Sequence, residues 1–335
     1  MKITLFRTRQ ARGGPSSFRN IFERGMKQRG FKIIWYSIFK SNNNIFIING
    51  TKRFLELFLF KLLGSKIIQR LGPIPWEHKI YKTTFFKYLL AEIRKYLVIF
   101  IRLFIATEFI YQSKYTQKIW DENYPLKKKK KSTIIYNGAN SIFYGLKKNN
   151  SVFCNELVAC EGDIINFLSR YIFIKNKNYT LNVFGYVPKN VLNIKDINSN
   201  KSVKFYGYKT KEFVSSFYKK NLIFLSLELH PACPNSILEA LASGIPVIGF
   251  NTGSSKEIIS SDVGIVIEFE KSKLLSNNLN DMDGLFDEIN FAINKIKNNY
   301  KFYSDNAMLR YKDKYTSEIM LDNYYNFLKS NFKLK

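Results

Sequence analysis

Cysteine and histidine are nearly missing from this chain of 335 residues. Three cysteines, Cys154, Cys160 and Cys233, form an odd set without a CxxC spacing, and the two histidines are His78 and His230. The odd number leaves no simple disulfide framework, and the set holds too few ligands for a zinc site. Unpaired thiols fit a reduced, cytosolic compartment. Acidic residues are also scarce: 26 Asp/Glu stand against 53 Lys/Arg, a net charge of +27. Long uncharged hydrophobic runs are lacking. The most apolar stretch, Tyr88–Ile110, is interrupted by Glu92, Arg94, Lys95 and Arg102, so it does not supply the ~20 apolar residues of a spanning helix. The opening MKITLFRTRQ has a five-residue apolar strand followed by Arg7 and Arg9, without the longer apolar core of a secretory signal.

What is present is a chain long enough for two domains of about 150 residues each. Its basic charge is uneven. Residues 1–146 hold 28 Lys/Arg less 7 Asp/Glu, a net of +21, whereas residues 147–335 hold 25 less 19, a net of +6. A basic half either reflects a lysine-rich composition or faces an anionic partner: phospholipid, nucleic acid or a phosphorylated acceptor. No RNA-binding or helix-turn-helix signature accompanies the charge, so nucleic acid is not expected. The lysine run 127–131 reads as a solvated loop.

Strand and helix patterns alternate. KITLF, FKIIWYSIF, IFIING, SKIIQRLG, EFIYQS and STIIYNG read as strands, and RGGPSSFRNIFERGMKQRG, TKRFLELFLFKLLG, 83–105 and KYTQKIW as helices between them. A polar, turn-rich segment around 137–150 resets the pattern. SVFCN, TLNVFG, VKFYG, LIFLSL, PVIGF and GIVIE then alternate with helices at 162–174, 210–219, 235–243 and 256–260. The expected fold is α/β: two Rossmann-like, doubly wound domains at 1–143 and 144–314 facing across a cleft, with a last helix at about 315–332 packing back on the first. The helices within 51–63 and 83–105 are both apolar and basic. They either cover the sheet or present lysines and aromatics to an anionic membrane surface.

The densest pattern is HPACPNSILEALASGIPVIGFNTGSSKE, residues 230–257. Pro234 ends a loop, and Asn235 or Ser236 is expected to cap a helix whose buried face is Ile237, Leu238, Leu241 and Ala242. Gly244 stops that helix and Pro246 opens a buried strand. The helix N-terminus then lies at the mouth of the sheet, where free N–H groups and a partial positive charge suit a diphosphate. Glu239 lies one turn in, placed to accept hydrogen bonds from sugar or ribose hydroxyls. The backbone of Gly253, Ser254 and Ser255 forms a second anion-binding turn.

CPNSILEALASGIPVIGFNTGSSKEII, followed by VGIVIE, resembles the donor-binding half of the group 1 retaining glycosyltransferases of GT-B fold. TLNVFG, VKFYG, LIFLSL, IIYNGANSIF, RGGPSSFRNIFERGMKQRG, IIQRLG and EFIYQSKYT extend the resemblance over nearly the whole chain. It implies a nucleotide diphosphate sugar as donor, a glycan or lipid-linked glycan as acceptor, and no metal or other cofactor. Glu239 would contact the nucleotide ribose, the turn from Gly253 to Glu257 the sugar and phosphates, and Gly13 and Gly14 the diphosphate. His78 would serve on the acceptor side near the reacting sugar, Arg70 would bind acceptor or phosphate, and His230 would lie at the donor. The sequence departs from the family twice. Pro231 stands eight positions before Glu239, where a glutamate is usual, with Glu228 three residues earlier. SVFCNELVACEGD lacks the Arg/Lys pair that holds the diphosphate. A binding or partner subunit that has lost transfer is therefore the rival reading.

Overall fold

The computed structural model describes residues 1–6, 14–36, 44–75, 84–140, 149–157, 179–185, 203–268 and 283–332. The chain divides into two compact units, Met1–Gly138 with Ser317–Lys335, and Ala139–Thr316. The first unit thus ends at Gly138, where the sequence reading placed residue 143.

In unit 1 the elements are β1 (Lys2–Leu5), α1 (Gly14–Gln28), β2 (Lys32–Trp35), β3 (Asn44–Ile48), α2 (Phe54–Leu62), β4 (Lys66–Leu71), α3 (Phe85–Phe100), β5 (Glu108–Tyr111), α4 (Lys114–Asn123) and β6 (Ser132–Ile134). The strands form one parallel sheet in the order β2-β1-β3-β4-β5-β6. Alternate side chains feed opposite faces, as the pleat requires. Phe46 and Ile48 join Phe18, Phe22 and Met26 of α1 in one core. Ile45 and Ile47 join Leu57, Ile99 and Trp120 in the other. The last helix of the chain, Ser317–Asn331, belongs to this unit and closes the first core with Met320, Leu321, Tyr324 and Leu328. Gly25 makes its close approach possible: a Cβ there would lie 2.3 Å from Leu321 Cδ1. Arg29 then pairs with Glu318 at 2.6 Å and Asp322 at 2.7 Å.

Two details differ from the sequence reading. The helix expected over 83–105 becomes π-helical at Ile101–Ile105, where the Ala106 N–H donates to the Ile101 carbonyl at 2.7 Å. The lysine run is not wholly solvated. Lys130 Nζ donates to the carbonyls of Arg102, Leu103 and Ala106, at 3.2, 3.2 and 2.7 Å. It thereby takes up carbonyls that the wider turn and its end leave open.

Unit 2 contains β7 (Asn149–Leu157), β8 (Thr180–Gly185), β9 (Val203–Gly207), α5 (Lys211–Lys220), β10 (Asn221–Ser226), α6 (Asn235–Ala242), β11 (Val247–Phe250), α7 (Ser255–Ile258), β12 (Gly264–Ile267), α8 (Asp283–Asn298) and α9 (Tyr300–Lys314). Its parallel sheet runs β12-β11-β10-β7-β8-β9. Strand order reverses between β7 and β10, and open α/β sheets bind ligands at the carboxyl ends of strands at such a switch point. The loop leaving β10 opens on that point. The helix expected at 162–174 lies outside the described residues.

Candidate donor site

The candidate site is built from the segments that follow β10 and β11. Leu227, Leu229, Ala232 and Cys233 are buried, so the loop after β10 is held in the core and not draped over the surface. Pro234 is the N-cap of α6, with φ −71° and ψ 118°, and no side chain caps the helix there. This corrects the expected cap by Asn235 or Ser236. Both are already inside the helix, where their side chains no longer reach the first-turn N–H groups. Ser236 Oγ donates instead to Glu228 Oε1 at 2.9 Å. The first turn of the helix carries the partial positive charge of a helix N-terminus.

The helix is fixed on three sides. Tyr218 of α5 donates its hydroxyl to the Ser236 carbonyl at 3.3 Å. Ser304 of α9 donates to the carbonyl of Gly244, the helix stop, at 2.6 Å. Ile237, Leu238, Leu241 and Ala242 are fully buried. Glu239, in the second turn, is half-buried.

The two polar turns of the 230–257 motif are one assembly. Ser254 N donates to the Pro231 carbonyl at 2.9 Å. Thr252 Oγ1 donates to the Glu228 carbonyl at 3.2 Å and accepts from His230 N at 3.4 Å. Gly253 has φ +59°, and a Cβ there would stand 2.3 to 2.5 Å from Cδ, N and O of Pro231. His230 has φ +55°, a left-handed conformation in which histidine is tolerated better than most side chains. Ser254 and Ser255 are buried, and among the described residues their hydroxyls have no hydrogen-bond partner; the same holds for Ser226 at the end of β10.

Arg310 is a residue the sequence reading missed. Its Nε donates to the Ile258 carbonyl at 2.7 Å and its Nη2 to the Glu257 carbonyl at 2.8 Å, so α9 clamps the far end of α7. Arg310 lies over fifty residues downstream in an ordinary helical pattern, and nothing local marks it. Beneath it, burial pushes the Tyr315 hydroxyl up to about 12.

His230, Asn235, Ser236, Glu239, Gly253, Ser254, Ser255 and Glu257 all lie in unit 2, and the contacts described above join the loop of His230 to the turn of Gly253 and Ser254. Gly14 begins α1 in unit 1. Gly13 and His78 lie outside the described residues. Arg70, expected to meet acceptor or phosphate, is instead an interior strut of unit 1 at 2% exposure. Its Nε donates to the Tyr324 hydroxyl at 2.8 Å, its Nη2 to Asn137 Oδ1 at 2.6 Å, and its guanidinium covers Phe18 at 3.7 Å. Strand β4 is covered on both faces, so a side chain on it meets core before solvent.

Residues 170–282 match the family profile described as Glycosyl transferases group 1. No curated protein matches the sequence. Among solved structures, the chain is similar to a glycosyltransferase from Rickettsia africae ESF-5, with 13% identity and TM-score 0.68 over 100% of this chain and 99% of that one. It is similar to Anabaena Alr3699/HepE in complex with UDP-glucose, with 13% identity and TM-score 0.67 over 98% and 100%. It is also similar to the pneumococcal O-GlcNAc transferase GtfA in complex with UDP and GlcNAc, with 12% identity and TM-score 0.64. That match covers 86% of this chain and 57% of the pneumococcal one, so the chain spans little more than half of that protein.

Proposed function

We propose that this chain, whose residues 170–282 match the group 1 glycosyltransferase profile, moves a sugar from a nucleotide diphosphate sugar to a glycan or lipid-linked glycan. The reading gives the configuration at the sugar as retained. The acceptor hydroxyl attacks C1 from the face that the phosphate leaves, the C1–phosphate bond breaks, and the hydroxyl proton passes to the departing phosphate oxygen. A reduced cytosolic compartment belongs to the same proposal.

One observation carries this reading. The N-terminus of α6, whose N-cap Pro234 has no capping side chain, follows the loop that leaves β10 at the switch point of a Rossmann-like sheet; Glu239 stands one turn further along the helix, and the turn at Gly253 and Ser254 is locked against Pro231 of that loop. A leaving group that gains negative charge is stabilised by preorganised N–H donors and a helix dipole.

Pro231 and Glu228 favour a second reading, a partner subunit without transfer activity. Pro231 is packed against Gly253, and Glu228 accepts from Ser236 at the first turn of α6, so a carboxylate already occupies part of the positive end. A panel of nucleoside diphosphates and nucleotide sugars, read by thermal shift, separates the readings. A ligand at a hundred times its Kd adds ~2.7 kcal/mol, a rise of several degrees in Tm. One nucleotide family should give that rise, and Glu239→Ala should abolish it. Release of nucleoside diphosphate upon addition of acceptor then supports transfer. A rise without release favours the partner subunit, and no rise with any nucleotide rejects the donor site.

A further inference from the structure

The described residues of the chain expose eighteen large hydrophobic side chains, and thirteen of these lie between Leu55 and Phe104 of unit 1. Their spacing is regular. Phe85, Leu89, Ile93, Tyr96, Phe100 and Phe104 recur every three or four residues along α3 and its π-helical end, and every one is exposed, Phe85 to 81%. The same helix and its π-helical end bury Ile99, Ile101 and Ile105 in the core. A helix that only covers a sheet needs its buried side apolar; this one is apolar along an exposed line as well. The stripe runs over about twenty residues, roughly 30 Å of helix.

The neighbouring helix extends the surface. The α2 ring of Phe54 meets Phe100 edge-on at 5.9 Å, and Lys61 Nζ of α2 donates to the Phe104 carbonyl. Leu59, Leu62 and Leu63 of the α2 end are all more than half exposed, Leu63 to 75%. Cations border the apolar surface. Lys87 and Arg94, both exposed and seven residues apart, share a line along α3 beside the stripe, and exposed Lys52 and Arg53 precede α2. Unit 1 as a whole, residues 1–138 and 317–335, holds 31 Lys/Arg less 9 Asp/Glu, a net of +22.

We propose that α2 and α3 form a docking surface for an anionic phospholipid bilayer, with the apolar stripe in the interfacial layer and the flanking cations on the headgroups. This goes beyond the donor-site reading and does not depend on it. The charge selects the occupant. A second copy would set another unit of net charge +22 against the first, which repels. A nucleic acid would satisfy the cations and leave leucines and isoleucines uncovered. A bilayer with acidic headgroups matches both layers, and a helix lying in the interface buries its apolar face by about 5–10 Å. Among the described residues no helix is long and apolar enough to cross a membrane, so the contact is peripheral.

The test is co-sedimentation of the full chain with vesicles of phosphatidylcholine alone and of phosphatidylcholine mixed equally with phosphatidylglycerol. Binding is expected to the mixed vesicles and to weaken as salt rises. Leu62→Ser/Leu63→Ser/Phe85→Ser/Phe86→Ser should lower partitioning at least tenfold. Each charge lost in Lys87→Gln/Arg94→Gln should lower it about fivefold. Both variants change exposed side chains, and an unchanged Tm verifies that they fold. Wild type that ignores both vesicles, or variants that bind like wild type, overturn the proposal. So does a dimer that the serine variant dissolves, or RNA binding that depends on Lys87 and Arg94 but not on the apolar residues.

Discussion

Gly253 is the residue on which the proposed donor site depends most directly. Its left-handed φ and its contact with Pro231 leave no room for a side chain, and the obstructing atoms include backbone N and O, which do not swing aside. Gly253→Ala is expected to cost about 2–4 kcal/mol and to remove the nucleotide response with it, measured by thermal and ligand-shift curves on one preparation. The sequence shows that a glycine turn is there but not what it touches, because Pro231 is 22 positions away and belongs to a different strand end. The same limit hid Arg310 and misassigned Arg70. The residue type suggested a phosphate contact, whereas strand β4, enclosed on both faces, made it a core strut. A second prediction concerns Lys130. Burial and the nearby Lys61 and Arg102 cations lower its ammonium to about 8, below the ordinary lysine value of 10.5. The unfolded chain then binds more protons than the folded one between those values, so this residue's contribution to stability rises from pH 8 to about 10.5. Tyr115 and Tyr315 act the other way. Burial raises both from 10 to about 12, so the folded chain holds more protons above pH 10 and loses stability there. Urea titrations of wild type and Lys130→Met across pH 7 to 10 should show a rise that the variant lacks.

At the scale of elements, the strands were the most legible feature. Parallel strands covered on both faces read as unbroken apolar runs, and KIIQRL and LIFLS fell where they were expected. Helix α6 was legible as well, because Pro234 and Gly244 bracket a clear apolar period. The π-helical end of α3 was not, since one extra residue per turn leaves no compositional mark. Nor could the pattern decide which side of α3 met the sheet, because both sides are apolar. The last helix of the chain shows what close approach requires. Glycine is a poor choice inside a helix, costing about 1 kcal/mol relative to alanine. At Gly25 a methyl group would meet buried Leu321 at 2.3 Å. Gly25→Ala should therefore destabilise unit 1 by about 1–3 kcal/mol through overpacking, reversing the sign expected from helix propensity alone. Chemical denaturation of the variant checks that sign.

At the scale of the whole molecule, the chain leaves unit 1 after Gly138 and returns to it at Ser317, and a parallel bridge joins Ala139 to Thr316 between those points. Unit 2 is contiguous in sequence, and unit 1 is not. Tyr324 of the returning helix packs tilted against Phe18 and edge-on against Phe22 and Phe46, so one of the two cores in unit 1 stays open until that helix arrives. This sets an order of events on the ribosome. Domains generally complete themselves in the order of synthesis. Here the first-made sheet waits while the 178 residues from 139 to 316 are added, a delay of roughly 9–36 s at ~5–20 residues per second. During that interval the nascent chain is expected to carry an uncovered aromatic core face, and unit 2 is expected to fold first.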